Sequence, residues 1–385
     1  MTGMADPTAK LFGWLRDEAL PLWSTVGVDR ANGGFVERIE PDGRLNADVR
    51  RARLVARQIY VFRTAYELGW NGPCLDLVQH GLTALREHHI GADDVVIPRY
   101  TPASGASEGG FDLYDQAFAL FGLGHAAALG ATDELEEQAG RILTRMREGW
   151  QHDAGGFAES KPATAPLKAN PHMHLLEAAL AWSEVTGAAA WRELASEVAQ
   201  LCVRRFLEPD TGALHEYFDT RWHIEDAGEQ QVVEPGHQAE WAWLLMRWSA
   251  MSREKGVEQP AHRLFEIAEG PGLNARQARL INELDGALAP KWSWMRLWPQ
   301  TERIKALVLF AENAPTAAIR TDLERRLDQA VTGLLDFFDH PIAGSWWEHL
   351  AEDGQPVPEA ARASSLYHIM GAAAELGRFT ARTLG

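Results

Sequence analysis

Cysteine is scarce in this sequence. Only Cys74 and Cys202 occur, each within an apolar stretch of helical character and neither in a CxxC or Cys/His spacing. Two such isolated thiols do not suggest a disulfide framework or a cysteine-ligated metal site. The pattern predicts buried, reduced thiols and a cytoplasmic protein.

Basic residues and long apolar runs are also in short supply. The chain has 37 Lys and Arg against 54 Asp and Glu, a formal net charge of -17. Nucleic acids and anionic membranes are bound through basic surfaces, so the charge argues against both classes of partner. No run of about 18 apolar residues occurs, and the N-terminal stretch MTGMADPTAK lacks the apolar core of a signal peptide. We therefore expect a chain that neither spans a membrane nor carries a standard export signal.

Motifs for cofactors and metals are missing as well. The sequence has no glycine-rich phosphate loop, Rossmann fingerprint or Gly-x-Ser-x-Gly elbow. His172 and His174 form a His-x-His pair, which could ligate a metal from a strand, but on a helix the two rings point about 200° apart. We predict neither a metal nor a cofactor, so any chemistry must run on side chains.

What the sequence does contain is a repeat. A glycine-turn phrase recurs as NGGFVERIEPDG from Asn32, DAGGFAES from Asp153, DTGALHEYFD from Asp210 and IAGSWWEHLAEDG from Ile342. The phrases are about 60 residues apart or twice that, with VVIPRY near residue 96 and EGPGLN near residue 269 in the gaps. Six units result, each a helix, a short extended or hairpin excursion and a second helix.

The ends of the chain indicate how the units are arranged. An open solenoid needs polar end caps, yet the first unit (LFGWLRDEALPLW) and the last (SLYHIMGAAAELG) are as apolar as the middle ones. The sequence therefore predicts an all-α fold, a six-fold α/α barrel of about twelve helices with short β-hairpin excursions in the loops. Residues 1–385 would form this single catalytic domain, and the loops at one end would surround a pocket.

Several predicted inner helices begin with polar side chains. In EPGHQAEWAW, Pro235 and Gly236 turn the chain into a helix whose first turn contains His237. The positive end of the helix dipole disfavours imidazolium, so we expect a neutral ring that accepts a proton near pH 7. Glu240 lies one turn further on, where it could orient that imidazole or bind a substrate hydroxyl.

Five other stretches repeat the design, and buried singly their polar groups would be costly. They contain Arg57 (RARLVARQIYVF), Tyr114 and Asp115 (FDLYDQAFAL), Asn170 and His174 (ANPHMHLLEA), Trp298 and Glu302 (WSWMRLWPQTERIKAL), and Tyr367 and His368 (SLYHIM). Convergence on one pocket explains all of them. Fifteen Trp residues, several beside these positions, suggest flat faces for a sugar, while others fill gaps between large helices.

These phrases give the chain a resemblance over nearly its whole length. RQIYVFRTAYELG, DLYDQAFAL, NPHMHLLEA, EPGHQAEWAWLL, RLWPQTERIKA and SWWEHLAEDG followed by SLYHI occur in the order typical of the N-acylglucosamine 2-epimerase family. The chain resembles the mannose isomerase branch of that family in particular. The resemblance implies a six-fold α/α barrel, in agreement with the repeat count.

The resemblance also implies an activity and a set of site residues. His237 and His368 would be the acid/base pair, with His368 as the base at C2 of an open-chain aldose and a cis-enediol as intermediate. The expected reaction interconverts D-mannose and D-fructose without a metal. The substrate-binding residues would be Arg57, Asn170, His174, Glu240, Trp298 and Glu302, which Tyr114 joins through its place at a helix start.

Other functions stay open on the sequence. One is 2-epimerisation of mannose and glucose, of cellobiose or of an N-acylglucosamine; another is isomerisation of mannose 6-phosphate, with Arg296 beside the pocket to hold a phosphate. A glycoside hydrolase would need paired carboxylates, for which Asp115, Glu240, Glu302 and Glu348 are candidates. A noncatalytic sugar-binding protein is the last alternative. The expected partner is a monosaccharide, and a homodimer is possible.

Overall fold

Helices form the body of the protein. The computed structural model describes residues 6–45, 49–224, 231–252, 254, 256–274 and 276–384. For residues 382–384 it describes the backbone alone. Its helices are α1 (Pro7–Trp14), α2 (Leu20–Thr25), α3 (Ala52–Glu67), α4 (Cys74–Ala84), α5 (Leu113–Ala127), α6 (Thr132–Trp150), α7 (Ala169–Thr186), α8 (Ala189–Leu201), α9 (Pro235–Ser252), α10 (Glu258–Glu269), α11 (Leu297–Glu312), α12 (Ala317–Leu335) and α13 (Ala363–Leu384). A π-helical turn, Leu15–Ala19, joins α1 to α2, so these two act as one column.

The helices form two concentric layers. In the inner layer α3, α5, α7, α9, α11 and α13 pack each on the next, and α13 packs back on α3. In the outer layer α4, α6, α8, α10 and α12 each cover the inner helix that precedes them, while α1 packs on α12 and α13. The ring is therefore closed, and the predicted six-fold α/α barrel is confirmed.

Side-chain patterns explain which helices lie inside. Along α5 every residue is buried except Tyr114 and His125, as expected of a helix surrounded by others. The outer helix α6 instead buries a single stripe, made of Leu135, Ala139, Ile142, Leu143 and Met146. Both cysteines are buried and free, as the sequence predicts. Within the described part of the chain, no helix is both long and apolar enough to cross a membrane.

Short antiparallel strands lie between the helices, which confirms the predicted excursions. They are β1 (Arg38–Ile39), β2 (Arg50–Arg51), β3 (Arg99–Thr101), β4 (Ala106–Glu108), β5 (Leu167–Lys168), β6 (Tyr217–Phe218), β7 (Leu273–Asn274), β8 (Arg279–Leu280), β9 (Glu283–Leu284), β10 (Pro290–Trp292), β11 (Met295–Arg296), β12 (His349–Leu350) and β13 (Ala361–Arg362). They pair as β1 with β13, β2 with β3 and β3 with β4, β5 with β6, β7 with β8, β9 with β10, and β11 with β12.

The recurring glycine phrases are the turns of these excursions. Gly33, Gly155, Gly212 and Gly344 have φ of +83°, +99°, +73° and +80°, a backbone region that disfavours residues with a side chain. Strands β2, β5, β11 and β13 each lead directly into an inner helix. The first turns of the inner helices therefore lie together at the end of the barrel that carries the strands, which we call the hairpin end. The polar side chains that the sequence places in these first turns meet there.

Candidate active site

A cavity of about 220 Å³ opens at the hairpin end of the barrel. Its walls are Arg57, Tyr114, Asn170, His174, Glu234, His237, Glu240, Arg296, Trp298, Glu348, Arg362, Ser364, Ser365 and His368. Of the nine residues predicted for the site, all but Glu302 line this one cavity. Each inner helix contributes at least one of these walls, so ring closure is what assembles the site.

One indole ring connects the two predicted catalytic histidines. The ring centroid of Trp298 lies 4.8 Å from that of His237 and 5.7 Å from that of His368. This approach depends on Gly236, because a Cβ there would lie 2.6 Å from the Trp298 ring. Trp241 and Trp243, which the sequence also placed beside the polar candidates, are buried in the core and do not line the cavity. The aromatic platform is therefore narrower than the abundance of Trp suggested.

His237 has a carboxylate partner that sequence analysis missed. Its Nδ1 lies 2.7 Å from Oε1 of Glu216 and 3.7 Å from Oε2 of Glu234. Burial lowers the pKa of His237, but the two carboxylates outweigh burial and raise the pKa to about 10. The expectation of a neutral ring was therefore wrong, because nearby full charges exceed the effect of the helix dipole. Glu240 does not orient this imidazole; Glu216 does.

The environment of His368 has the opposite effect. Its Nδ1 lies 2.8 Å from Oε1 of Glu302. Burial, followed by the positive charges of Arg57 and Lys305, holds the pKa of His368 well below its usual value. Glu302 is fully buried behind the histidine instead of on the cavity wall, so its contact is with His368 and not with the space a sugar would fill. One cavity thus contains an imidazole that favours the charged form and another that favours the neutral form.

Further polar side chains complete the walls. Arg57 donates to the Tyr114 hydroxyl at 2.6 Å and lies over the Phe118 ring, while its Nε has no partner among the described residues. The buried side-chain oxygen of Asn170 likewise lacks a protein partner in the described chain. These groups have hydrogen-bonding capacity to spare, which a sugar hydroxyl can use.

Glu240 and His174 form the deeper wall. His174 Nδ1 lies 3.2 Å from Glu177 Oε2 and 4.0 Å from Glu240 Oε1. Neither oxygen of Glu240 has a hydrogen-bond partner within the described structure. Burial, followed by the negative charge of Glu302, raises the pKa of Glu240 well above its usual value. A carboxyl whose pKa is raised takes up a proton more readily, and in its protonated form it can donate a hydrogen bond to a ligand.

Metal ligation is a second possible use of these side chains. Two buried groups, His174 with Glu177 and Glu240, and Glu240 with Glu302 and His368, bring ligand atoms within 4.8 Å of one another. However, Nζ of Lys305 lies 2.6 Å from Oε2 of Glu302, so an ammonium already balances a carboxylate of the second group. A divalent cation there would be repelled by that charge. This second group therefore fits proton transfer better than metal binding.

His172 is separate from the site. Its Nε2 accepts from the Phe157 backbone N–H at 3.0 Å, and its Nδ1 lies 2.9 Å from the Lys168 carbonyl oxygen. Both ring nitrogens are therefore used to hold the hairpin next to α7. His174, two residues on, faces the cavity, so the His-x-His pair is divided as the helical geometry predicts.

The family of the chain follows from comparison with known proteins. It matches the N-acylglucosamine 2-epimerase (GlcNAc 2-epimerase) family over residues 33–372. A mannose-6-phosphate isomerase of Rhizobium meliloti (strain 1021) is 38% identical, covering 95% of this chain and 96% of the relative. A D-mannose isomerase of Thermobifida fusca is 26% identical over 73% of each chain. A crystal structure of a D-mannose isomerase has the same fold, with a TM-score of 0.87 at 18% identity, covering 98% of this chain and 100% of the other. The chain thus belongs to the N-acylglucosamine 2-epimerase family and is an enzyme of the sugar isomerase and epimerase class.

Proposed function

We propose that this enzyme interconverts an aldose and its 2-ketose, D-mannose and D-fructose, with His368 and His237 as its base and acid. The observation that carries the proposal is the opposite protonation preference of these two imidazoles around one indole ring. Proton abstraction next to a carbonyl needs a neutral base at the carbon and a proton donor at the oxygen. The cavity offers one group of each kind.

The reaction follows from these two states. With Nδ1 of each ring turned to a carboxylate, Nε2 is the nitrogen left for substrate. Neutral His368 takes the proton from C2 of the open-chain aldose while cationic His237 protonates O1, which yields a cis-enediol. His237 then takes the O2 proton, and His368 returns its proton to C1, so that the C2 carbonyl of the ketose forms. Because O1 and O2 lie on the same side of a cis-enediol, one acid can serve both oxygens.

The rest of the cavity supports a single sugar ring as substrate. Its volume of about 220 Å³ lies below the roughly 300–1,000 Å³ of pockets that hold drug-sized ligands. We assign Trp298 to the C–H face of the sugar, and Arg57, Tyr114, Asn170, His174 and Glu240 to its oxygens. Cellobiose, a disaccharide, would have to extend through the mouth of the cavity.

Mannose 6-phosphate is a second candidate, favoured by a specific observation. Arg296 and Arg362 both line the cavity from the hairpins, where they can reach a substituent at the far end of the sugar. A guanidinium binds phosphate through two parallel hydrogen bonds. The relative at 38% identity is named for this substrate.

Two other reactions have weaker support. Epimerisation at C2 would need the enediol to be protonated on its opposite face, which His237 could do only after losing its role at the oxygens. Glycoside hydrolysis would need two carboxyl groups beside the sugar. Of its four candidates, Glu302 and Asp115 lie outside the cavity, and Glu348, which lines the cavity with Glu240, already accepts hydrogen bonds from Trp346, Ser365 and the Arg362 backbone.

Incubation in deuterated water distinguishes these reactions. The purified, chelator-treated protein is mixed separately with D-mannose, mannose 6-phosphate, glucose, N-acetylglucosamine and cellobiose, and proton NMR follows each sample. We expect fructose, or its 6-phosphate, with deuterium at C1. Deuterium confined to C2 of two aldoses would establish epimerisation instead. Absence of both ketose and deuterium from every sample, or release of sugar from a glycoside, would contradict the proposal.

A further inference from the structure

The two catalytic histidines have the same local partner but different surroundings. Each imidazole directs Nδ1 to a buried glutamate oxygen, at 2.7 Å for His237 and Glu216 and at 2.8 Å for His368 and Glu302. A carboxylate at this distance stabilises imidazolium, so the contact alone would make both histidines acids. Something beyond the contact must distinguish them.

The difference lies on the far side of each carboxylate. Around His237 a second carboxylate, that of Glu234, adds negative charge at 3.7 Å from Nδ1. Behind His368 the second oxygen of Glu302 lies 2.6 Å from Nζ of Lys305. The carboxylate of Glu302 is thus shared between the imidazole and an ammonium group, whereas no Lys or Arg of the described chain lies within ion-pair distance of Glu216.

Lys305 is well placed to stay charged although it is buried. Its side chain is 3% exposed, and Nζ lies 3.8 Å from the centroid of the Trp243 ring. Burial lowers the pKa of Lys305, but Glu302, Glu240 and Glu177 outweigh burial and hold the pKa above its usual value. Lys305 does not line the cavity, so its effect on catalysis must pass through its neighbours.

Other charges also act on His368. Titratable and charged groups face His368 or share its cavity from every inner helix and from the hairpins. The inner helices contribute Arg57 (α3), Tyr114 (α5), His174 and Glu177 (α7), His237 and Glu240 (α9), Glu302 and Lys305 (α11) and Tyr367 (α13). The segments outside the helices contribute Glu234, Arg296, Glu348 and Arg362. Arg57 is the other cation that strongly favours the neutral ring, but it also lines the cavity. Lys305 is therefore the cation whose influence can be tested without removing a wall of the site.

We propose that Lys305 is a positioning residue that holds His368 in its neutral form, so that one of two similar histidine–glutamate pairs is a base. The proposal rests on the proposed function only in taking His368 as the base. Without Lys305 the full charge of Glu302 would act on the imidazole as Glu216 acts on His237. The site would then contain two acids and no base near neutral pH.

The direct test is the titration of His368. Histidines labelled with ¹³C at Cε1 are followed by NMR against pH in the wild-type enzyme and in Lys305→Met, with His368→Ala to assign the resonance. We expect the pKa of His368 to rise by about one unit or more in Lys305→Met, since a nearby charge shifts a pKa by roughly 1–3 units. The acidic limb of the kcat/KM profile should move up by the same amount.

Two further variants separate charge from structure. Lys305→Arg keeps a cation beside Glu302 and should retain the wild-type titration. Because Lys305→Met leaves Glu302 buried without its cation, the comparison is repeated in a Glu302→Gln background, where no buried carboxylate is left unpaired. There, removal of Lys305 should raise the pKa of His368 by a smaller amount, because only the direct repulsion between the ammonium and the imidazole is lost.

Two results would overturn the inference. One is an unchanged His368 titration in Lys305→Met, which would mean that Glu302 takes up a proton itself. The other is Lys305→Arg behaving like Lys305→Met, which would show that the shape of lysine matters and its charge does not. The titration reads the His368 imidazole directly. Its result therefore stands even if the wild-type enzyme neither converts any sugar nor exchanges deuterium into one, an outcome that would refute only the proposed function.

Discussion

Glu216 Oε1 lies 2.7 Å from His237 Nδ1, and this contact joins two parts of the site that the sequence does not link. Glu216 directly precedes β6, whose partner β5 leads into α7, and its backbone oxygen accepts from the Ala169 N–H at the start of that helix. His237 begins the next inner helix. The excursion between α8 and α9 therefore carries a carboxylate to the histidine in the first turn of α9.

Replacement of the Glu216 carboxylate should make His237 a weaker base. In Glu216→Gln we expect the pKa of His237 to fall from about 10 by roughly 1–3 units, because the amide carries no charge. The acid of the reaction is then lost at lower pH, so the alkaline limb of the kcat/KM profile should move down. Glu234→Gln is the matched control and should shift that limb less, since Glu234 lies 3.7 Å away and its influence is smaller. A larger shift in the control would contradict the assignment of Glu216.

Each of the two histidines proposed as acid and base should be indispensable for turnover. We expect His237→Ala and His368→Ala each to reduce kcat by about 10²–10⁴-fold, the usual contribution of a general acid or base. The circular dichroism spectrum should be unchanged, because neither ring packs in the apolar core. The exposed His223, which contacts Asp219 on a hairpin, supplies the control, and its alanine variant should keep wild-type activity. Activity within about tenfold of wild type in either cavity variant would argue against the mechanism.

The fold could be predicted because it depends on patterns that repeat along the chain. The glycine phrases mark turns whose backbone needs positive φ, and the apolar composition of helices such as α5 identifies the inner layer. Closure of the ring followed from the apolar first and last units, and α13 does pack on α3. Both patterns are local in the sequence, so they could be recognised before the structure was known.

The electrostatics of the site could not be predicted in the same way. His237 was expected to be neutral from its helix dipole alone, although Glu234 stands three residues before it in EPGH. The nearer carboxylate, that of Glu216, comes from the excursion 21 residues earlier. Glu302 was expected to contact the sugar, but it forms an ion pair with Lys305 and lies behind His368. Lys305 lies three residues after Glu302, so the helical spacing was a usable signal. The repeat offered a signal for Glu216 as well, because it stands four residues after Gly212, as Glu348 stands four residues after Gly344 in the equivalent phrase.

Replacement of Arg296 or Arg362 tests whether the cavity binds a phosphate group. If mannose 6-phosphate is a substrate, Arg296→Ala and Arg362→Ala should each lower kcat/KM for it by roughly 10–100-fold, the loss expected for a hydrogen bond to a charged group. Activity on D-mannose should stay near wild type, since the unphosphorylated sugar has no phosphate for these side chains to bind. Arg99→Ala, which replaces an exposed residue of β3 outside the cavity, is the control. Equal losses on both sugars would show that the arginines shape the cavity without reading the phosphate.

The close approach of two inner helices predicts a stability difference between two glycines. A Cβ on Gly122 of α5 would lie 2.9 Å from both Cα and Cβ of Ala56 on α3, and that backbone cannot move aside cheaply. Alanine normally favours a helix over glycine by about 1 kcal/mol, but overpacking a core costs about 1–3 kcal/mol, so Gly122→Ala should lower the free energy of unfolding. Gly140 of the outer helix α6 has no atom within 4 Å of its would-be Cβ, so Gly140→Ala should raise that free energy. Urea denaturation of both variants measures the two signs, and destabilisation by both would show that tight inner packing is not the cause.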